Sequence, residues 1–471
     1  MKILLLRVPA GSSITADMSD IFDDDVGVYQ PLGLLYLHSS LKNKRPQDDV
    51  HILDCVAEGL DTSTLIERIS RIKPDIIGVT VLTFQLVEIY RCAAAIKKHF
   101  PETLLVFGGP HTHLYPEEVL RNQNVDYVLT GEGENTFPLF IDSIEKGADL
   151  SKVPGLFFRD SDGKTVKGQP PVYVKDLDDL PPPDFNVIPV EKYSSVMDNG
   201  LTAMLITSRG CPFHCVYCDR PHMGNAYRVH SPQRVLEDLL QVREFGIKNI
   251  QIFDDTFTLK KSRIFEICSL IADESLDINF SIRARVNSVN EKLLGALKRA
   301  GCRRISFGVE AGSDSMLKAL RKDTTVEEVE LAFKLCKKIG IDTLADFIIG
   351  GPGQTKSDVE DTLNFAIKLD PDYVQFTIMT PFPGTELYRA GLADGLIKKD
   401  YWREFANKPT ESFETPVWEE HLSKSELLDY FSRAYQRFYR RPKYVMRELY
   451  KIRSFGELYR KARIGMKAIS A

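Results

Sequence analysis

With 471 residues, 43% of them hydrophobic, and a net charge of −5, the chain can fill more than one core and has no basic bias toward nucleic acid. Eight cysteines are too sparse for a disulfide framework, and the most apolar run, residues 76–87, includes a Gln and two Thr and is too short for a membrane span. Residues 1–7 read as a first strand rather than a secretion signal, so a soluble, cytoplasmic protein is expected.

Over the first third, strands are predicted at residues 2–8, 50–54, 75–81, 104–108 and 127–130. Helical patterns separate them, the clearest over 87–100 with Ile89, Ala93 and Ile96 on one face. That alternation argues for a doubly wound parallel sheet, which binds ligands outside the carboxyl ends of its strands. The conspicuous residues sit at those ends: Thr80 to Thr83, then Gly108-Gly109-Pro110-His111, then Gly131-Glu132-Gly133-Glu134. Glycines there let the backbone approach a bulky ligand, although each motif taken alone is also an ordinary tight turn. His111 and His113 form only a weak metal pair.

Next comes a predicted hairpin, Leu156-Phe157-Phe158 and Thr165-Val166-Lys167 around Asp160-Ser161-Asp162-Gly163. An acidic, proline-stiffened connector follows at 176–183 and is the best domain boundary in the sequence.

The middle of the chain repeats strand then helix six times, with strands predicted at 203–208, 249–253, 279–283, 304–309, 343–349 and 373–379. Ser231-Pro232 reads as an N-cap with proline at the first helical position. The first strand leads into Ser208-Arg209-Gly210-Cys211-Pro212-Phe213-His214-Cys215-Val216-Tyr217-Cys218. Three thiolates at C-x3-C-x2-C fall one short of closing a zinc site or saturating a four-iron cluster. Zinc with His214 as fourth ligand is the alternative, but adjacent residues rarely reach one metal together.

The cysteine spacing, and the aromatic Tyr217 before the last cysteine, resemble the radical S-adenosylmethionine (SAM) enzymes. The six units resemble that family's partial (β/α)6 barrel, with chemistry on loops at the carboxyl ends of the strands. The resemblance implies a 4Fe–4S cluster on Cys211, Cys215 and Cys218, with SAM on the open iron. It implies SAM contacts from Tyr217 to the adenine, from Asp254 and Asp255 to the amino group, from Arg285, and from Glu310 and Ser313 in the Gly308–Ser313 motif. Gly350-Gly351-Pro352-Gly353-Gln354-Thr355 and Pro381-Phe382-Pro383-Gly384-Thr385 complete the set.

The first 145 residues, with Gln30-Pro31-Leu32-Gly33 and the glycine turns, resemble the cobalamin-binding domain that precedes many radical SAM cores. That implies cobalamin contacts at Thr80, Thr83, Gly108, Gly109, Pro110, His111, Gly131 and Glu132. Methionine-synthase-type domains carry Asp-x-His-x-x-Gly, whose histidine ligates cobalt. Here Asp54-Cys55-Val56-Ala57-Glu58-Gly59 has Val56 at that place, so no lower histidine ligand is expected.

The organisation expected is a cobalamin domain (1–145), a linker with a small hairpin (146–200), a radical SAM core (201–395) and a basic helical region (396–471). The implied reaction is reductive SAM cleavage to a 5′-deoxyadenosyl radical, hydrogen abstraction from an unactivated carbon, then methyl transfer from methylcobalamin. Relatives of this kind include hopanoid methylases and the anaerobic protoporphyrin-ester cyclase, so ring closure or skeletal rearrangement is the alternative. A cobalamin-binding sensor with a vestigial barrel is the non-enzyme reading. The expected partners are a small, apolar substrate and an electron donor such as ferredoxin or flavodoxin. Cys55 and Cys92 are too few for the second cluster of methylthiotransferases. Cys268, Cys302 and Cys336 read as buried small hydrophobes.

Residues 433–471 hold twelve Lys/Arg against two Glu, a local +10 that leaves −15 on the preceding chain. Apolar and aromatic residues recur at helical spacing up to Pro442, then over 444–450, with a third helix at 455–459. The segment is either a helical cap on the barrel or a basic, aromatic surface for peripheral contact with anionic lipid. Its Tyr-x-x-Phe-Tyr-x-Arg-Pro run (Tyr435 to Pro442) resembles the tails of relatives that act on apolar molecules.

Overall fold

A computed structural model describes residues 1–14, 27–195, 197–198, 200–219, 224 and 226–450. The third predicted C-terminal helix, at 455–459, lies outside the described residues. Strands β1 (Lys2–Arg7), β2 (Asp49–Asp54), β3 (Ile76–Thr80), β4 (Leu104–Gly108) and β5 (Tyr127–Leu129) are parallel, in the order β2-β1-β3-β4-β5. This is the doubly wound arrangement expected. Alternation along β1 divides its core: Ile3 and Leu5 pack with the helices Leu32–Lys44 and Gly133–Glu145. Leu4 and Leu6 face the helices Thr62–Ile72 and Leu86–His99.

The hairpin forms, but not as a free-standing linker. Its strands β6 (Leu156–Arg159) and β7 (Thr165–Lys167) extend the same sheet antiparallel from β5. The acidic connector is likewise packed down: Leu177 and Leu180 are buried with Tyr36 and Val174, and Asp178 accepts from His230 Nδ1 and the Ser231 amide. Buried leucines just ahead of the prolines turn a predicted spacer into part of the core.

The second sheet holds β8 (Thr202–Leu205), β9 (Asn249–Ile252), β10 (Asn279–Ala284), β11 (Cys302–Glu310), β12 (Asp342–Ile349) and β13 (Tyr373–Ile378). All are parallel and in sequence order, as a partial barrel requires. Ser231 caps the following helix, accepting from the Arg234 amide at 3.2 Å. Because β8 and β13 do not pair, each presents an open edge. Gln30 covers β8, donating to the Thr202 carbonyl (2.7 Å) and accepting from the Met204 amide (3.0 Å). The helix Lys424–Tyr439 covers β13: the Tyr435 hydroxyl takes both backbone groups of Phe376, and the Tyr439 hydroxyl both of Val374. Arg433 and Arg437 pair with Glu360, and Arg441, Lys443 and Arg447 with Asp370. Much of the described basic tail is thus spent on the barrel as a cap. Among the described residues, no helix is long and apolar enough to cross a membrane.

Candidate functional site

The cysteine loop leaves β8 through a tightly held backbone. Asp254, at the end of β9, accepts four hydrogen bonds: from the Thr207 and Ser208 amides (2.6 and 3.0 Å) and from both hydroxyls (2.6 Å each). Burial pushes its carboxyl up, against the pull of those donors and of Arg263. The sequence predicts that Asp254 faces SAM. With its oxygens committed to the loop it instead sets where the loop begins, and Asp255, exposed and lining the cavity below, is the acid that faces outward. Gly210 turns the chain toward Cys211 at φ +84°, and a Cβ there would stand 2.3 Å from the Ala226 carbonyl.

Cys215 is buried, Cys211 half-buried and Cys218 exposed. Burial raises the Cys211 thiol, and the nearby Asp255 and Cys215 raise it further. Arg285 Nη1 donates to Cys215 Sγ (3.6 Å), and its guanidinium lies 3.8 Å from the centre of the Phe213 ring. Among the described residues, Arg285 Nε and Nη2 are buried without a hydrogen-bond partner. A cation with two orphaned donors beside three cysteines fits an anionic ligand on a metal–sulfur centre. Among the described residues no three His, Cys, Asp or Glu side chains gather to hold a single metal ion. The thiolates of an iron–sulfur cluster each take a different iron and need not converge on one point.

Glu310 is held at φ +69° in a buried pair with Lys322 (2.6 Å), and Lys322 also donates to the Tyr217 hydroxyl (3.3 Å). Gly308 leaves the space, since a Cβ there would meet Glu310 Oε1 at 2.3 Å and Lys322 Nζ at 2.6 Å. Ser313, expected among the SAM contacts, caps the helix Asp314–Ala319 by accepting from the Met316 amide. Lys322 and Asp346, which share this space, carried no signal in the sequence.

At the carboxyl ends of β3, β4 and β5 a cavity of about 500 Å³ is lined by Thr80, Gly108, Gly109, Pro110, Gly131 and Glu132. Gly109 sits at φ +108°, with the Val81 backbone N and O 3.1 Å from where a Cβ would stand. Gly33 lines the same space and, among the described residues, has nothing within 4 Å of that position. Such bare backbone fits a broad ligand held at close approach. Two expected contacts, Thr83 and His111, are not among the residues that line it. His111 is fully buried, its Nδ1 bonded to Thr83 Oγ1 (3.1 Å), and burial lowers it to about 4, so it stays neutral beneath the turn; His113 lines the cavity instead. Val56 lies on the short helix Cys55–Glu58, which Asp54 caps.

The opposite wall comes from the second sheet and the loops that leave it: Ile206, Ser208, Arg209, Phe253, Asp255 and Arg283. The two walls are joined by ion pairs. Arg209 Nη1 donates to Glu132 (2.9 Å) and Nη2 to Glu134 (2.7 Å), while Arg228 reaches the other Glu132 oxygen (2.8 Å). Burial raises the Glu132 carboxyl, but Arg228 and Arg209 outweigh it and hold the group below the ordinary range. The Glu132 carboxylate, expected to contact cobalamin, is therefore engaged by arginine, although the residue lines the cavity.

Residues 205–366 match the family model of the radical SAM superfamily, and residues 19–141 that of the B12 binding domain. An uncharacterized methyltransferase of Pyrococcus horikoshii is 36% identical over 459 residues, covering 97% of this chain and 96% of its own. The anaerobic magnesium-protoporphyrin IX monomethyl ester cyclase of Rubrivivax gelatinosus is 29% identical over 423 residues, 88% of this chain and 74% of that protein. The hopanoid C-3 methylase of Methylococcus capsulatus is 27% identical over 379 residues, 79% of this chain and 70% of that protein. The cobalamin-dependent SAM radical enzyme OxsB, solved with aqua-cobalamin and SAM, shares the fold at TM-score 0.76 and 20% identity, over 99% of this chain and 71% of its own. The radical SAM methyltransferase TsrM of Kitasatospora setae, solved with cobalamin and a 4Fe–4S cluster, does so at 0.73 and 16%, over 100% and 99%.

Proposed function

The chain belongs to the radical SAM superfamily, in the group that carries a B12-binding domain, and on that premise we propose that it methylates an unactivated carbon of a small-molecule substrate. Its cofactors are a 4Fe–4S cluster, SAM and cobalamin. The observation that carries the reading is the shared cavity: glycine turns of the first sheet form one wall, and the entry to the cysteine loop with its neighbours forms the other. When bound, the cluster and SAM supply one-electron chemistry that removes a hydrogen atom, and cobalamin supplies a methyl group.

The protein's part is positioning. Cys211, Cys215 and Cys218 hold the cluster, and Asp254 fixes the backbone from which they project. Arg285 offers its two unpaired donors to the SAM carboxylate, and Asp255 faces the amino group. Tyr217 and Glu310, tied together through Lys322, border the nucleoside. Phe253 and Tyr36 line the shared space with aromatic surface that keeps water from reactive carbon. Thr80, Gly108, Gly109, Pro110 and Gly131 support cobalamin, with no side chain from Val56 to ligate it.

The electron comes from a reduced carrier of the ferredoxin or flavodoxin kind in the cytoplasm. Peripheral contact with an anionic membrane would use the exposed stripe Val445, Met446, Leu449 and Tyr450, beside five basic groups whose charge Glu360 and Asp370 offset only in part. Salt-sensitive cosedimentation with anionic vesicles, lost in Met446→Ser/Leu449→Ser, is the expected sign of such contact. Equal sedimentation of the two proteins rules that surface out.

The central test is anaerobic. Protein reconstituted with iron, sulfide and hydroxocobalamin, then given SAM and reductant, is expected to release 5′-deoxyadenosine. Cys215→Ala should lower that release at least ~100-fold, since removing a cluster ligand removes the electron source. S-adenosylhomocysteine formed alongside marks methyl transfer. Its absence with a turned-over substrate favours cyclisation or rearrangement.

A further inference from the structure

We propose that Arg209 makes the two cofactor sites one thermodynamic unit, so that loading the cluster tightens cobalamin binding and cobalamin in turn stabilises the cluster. The inference rests on the cofactor assignment above.

Arg209 occupies a position with no freedom to serve one site alone. It lies two residues before Cys211, in a two-residue strand pairing with Arg228, and its own backbone follows the segment that Asp254 holds. Its side chain leaves that segment and ends in the other module, where each terminal nitrogen takes a different carboxylate of the Gly131–Glu134 turn. Arg209, Glu132 and Glu134 are all buried, and the guanidinium lies 5.2 Å from the centre of the Tyr36 ring. Arg228 closes the group by bonding the second Glu132 oxygen and the Val174 carbonyl. Two cations thus meet two anions out of solvent.

The planar fork of an arginine fixes the spacing and orientation of two carboxylates at once, which a lysine point charge does not. Ordering the cysteine loop around a cluster therefore orders the turn that borders the cobalamin cavity before cobalamin arrives. The second ligand then pays less conformational entropy, which is positive coupling. Coupling is reciprocal for binding equilibria and is typically ~5-fold or more when two sites share such an element.

The test uses the full chain. Hydroxocobalamin is titrated by visible absorption into anaerobic protein with and without the reconstituted cluster, and iron retention under chelator challenge is followed with and without hydroxocobalamin. Wild type should bind hydroxocobalamin ~5-fold or more tightly when the cluster is present, and hold its iron correspondingly longer with cobalamin. Glu134→Gln, which keeps the shape and removes one ionic arm, should bring that ratio close to one while both cofactors still bind. Arg209→Lys, which keeps the charge and loses the fork, should keep only part of the wild-type ratio. A wild-type ratio near one, or an undiminished ratio in both variants, overturns the coupling. Failure of wild type to bind hydroxocobalamin in either state would instead overturn the cofactor assignment itself.

Discussion

At the scale of single residues, acids near the cysteine loop divide by direction rather than by type. Asp254 and Asp255 are neighbours, yet one faces inward to Thr207 and Ser208 and the other faces the cavity. Gly210 illustrates a residue whose role is to be absent. Gly210→Ala introduces both a left-handed alanine and a clash with the Ala226 carbonyl, a strain on the order of 1–3 kcal/mol. Iron retained per chain after reconstitution should fall by more than half, with the far-ultraviolet circular dichroism unchanged. Asp346 gives a pH signature. Burial, with Glu310 adding to it, pushes its carboxyl from 3.8 up to about 7, against Arg283 and Lys322. A carboxyl raised in the folded state costs stability as it ionises, so wild type should lose stability as the pH climbs from 3.8 toward 7 and level off above. Asp346→Asn should flatten that slope in urea midpoints; parallel slopes would show that Asp346 does not titrate in this window.

At the scale of elements, the partial barrel has to manage two open edges. Gln30 closes one with a single amide, and the helix Lys424–Tyr439 closes the other with tyrosines spaced i, i+4, whose hydroxyls each donate to and accept from one residue of β13. That spacing puts both hydroxyls on one helix face opposite alternate residues of a strand. Tyr435→Phe leaves a buried amide unpaired and should cost about 1–3 kcal/mol in urea unfolding. Adding Tyr439→Phe bares the edge, and concentration-dependent association in light scattering is expected. The strands themselves were legible from alternation and flanking turns, within a few residues at their ends. The hairpin at 156–167 was legible as a hairpin, but not as the edge of the first sheet. Nothing local in its sequence names β5 as partner, because β pairing is chosen by exposed edges that exist only after the sheet has formed.

At the scale of the whole molecule, the site is a junction. The first module's core runs into Leu320, Met379 and Leu387 from the barrel and Trp402 from the helical region after it, so the cavity walls are held by packing as well as by ions. Breaking a buried ion pair from one side leaves uncompensated charge and typically costs 3–5 kcal/mol, against 1 kcal/mol or less for an exposed pair. Arg209→Met should therefore destabilise by about 3–5 kcal/mol in urea unfolding, while Lys399→Met, which removes an exposed pair with Glu404 and a contact with the Tyr401 ring, should move the urea midpoint far less.

The cysteine triplet was legible in the sequence because its ligands lie within eight residues, where spacing alone limits what they can wrap. The order of strands and helices was legible for the same reason, since periodicity of two or near four is a local property. Tertiary structure alone decided which polar groups meet. Glu132 and Arg209 are 77 residues apart, and Glu134 and Arg209 are 75 apart. A glutamate in a glycine turn at a strand end reads equally well as a ligand contact or as half of an ion pair. Only the packing of one sheet against the mouth of the other places a guanidinium within 3 Å of it. Burial then makes that pairing obligatory, because a charge out of water must find its counterion.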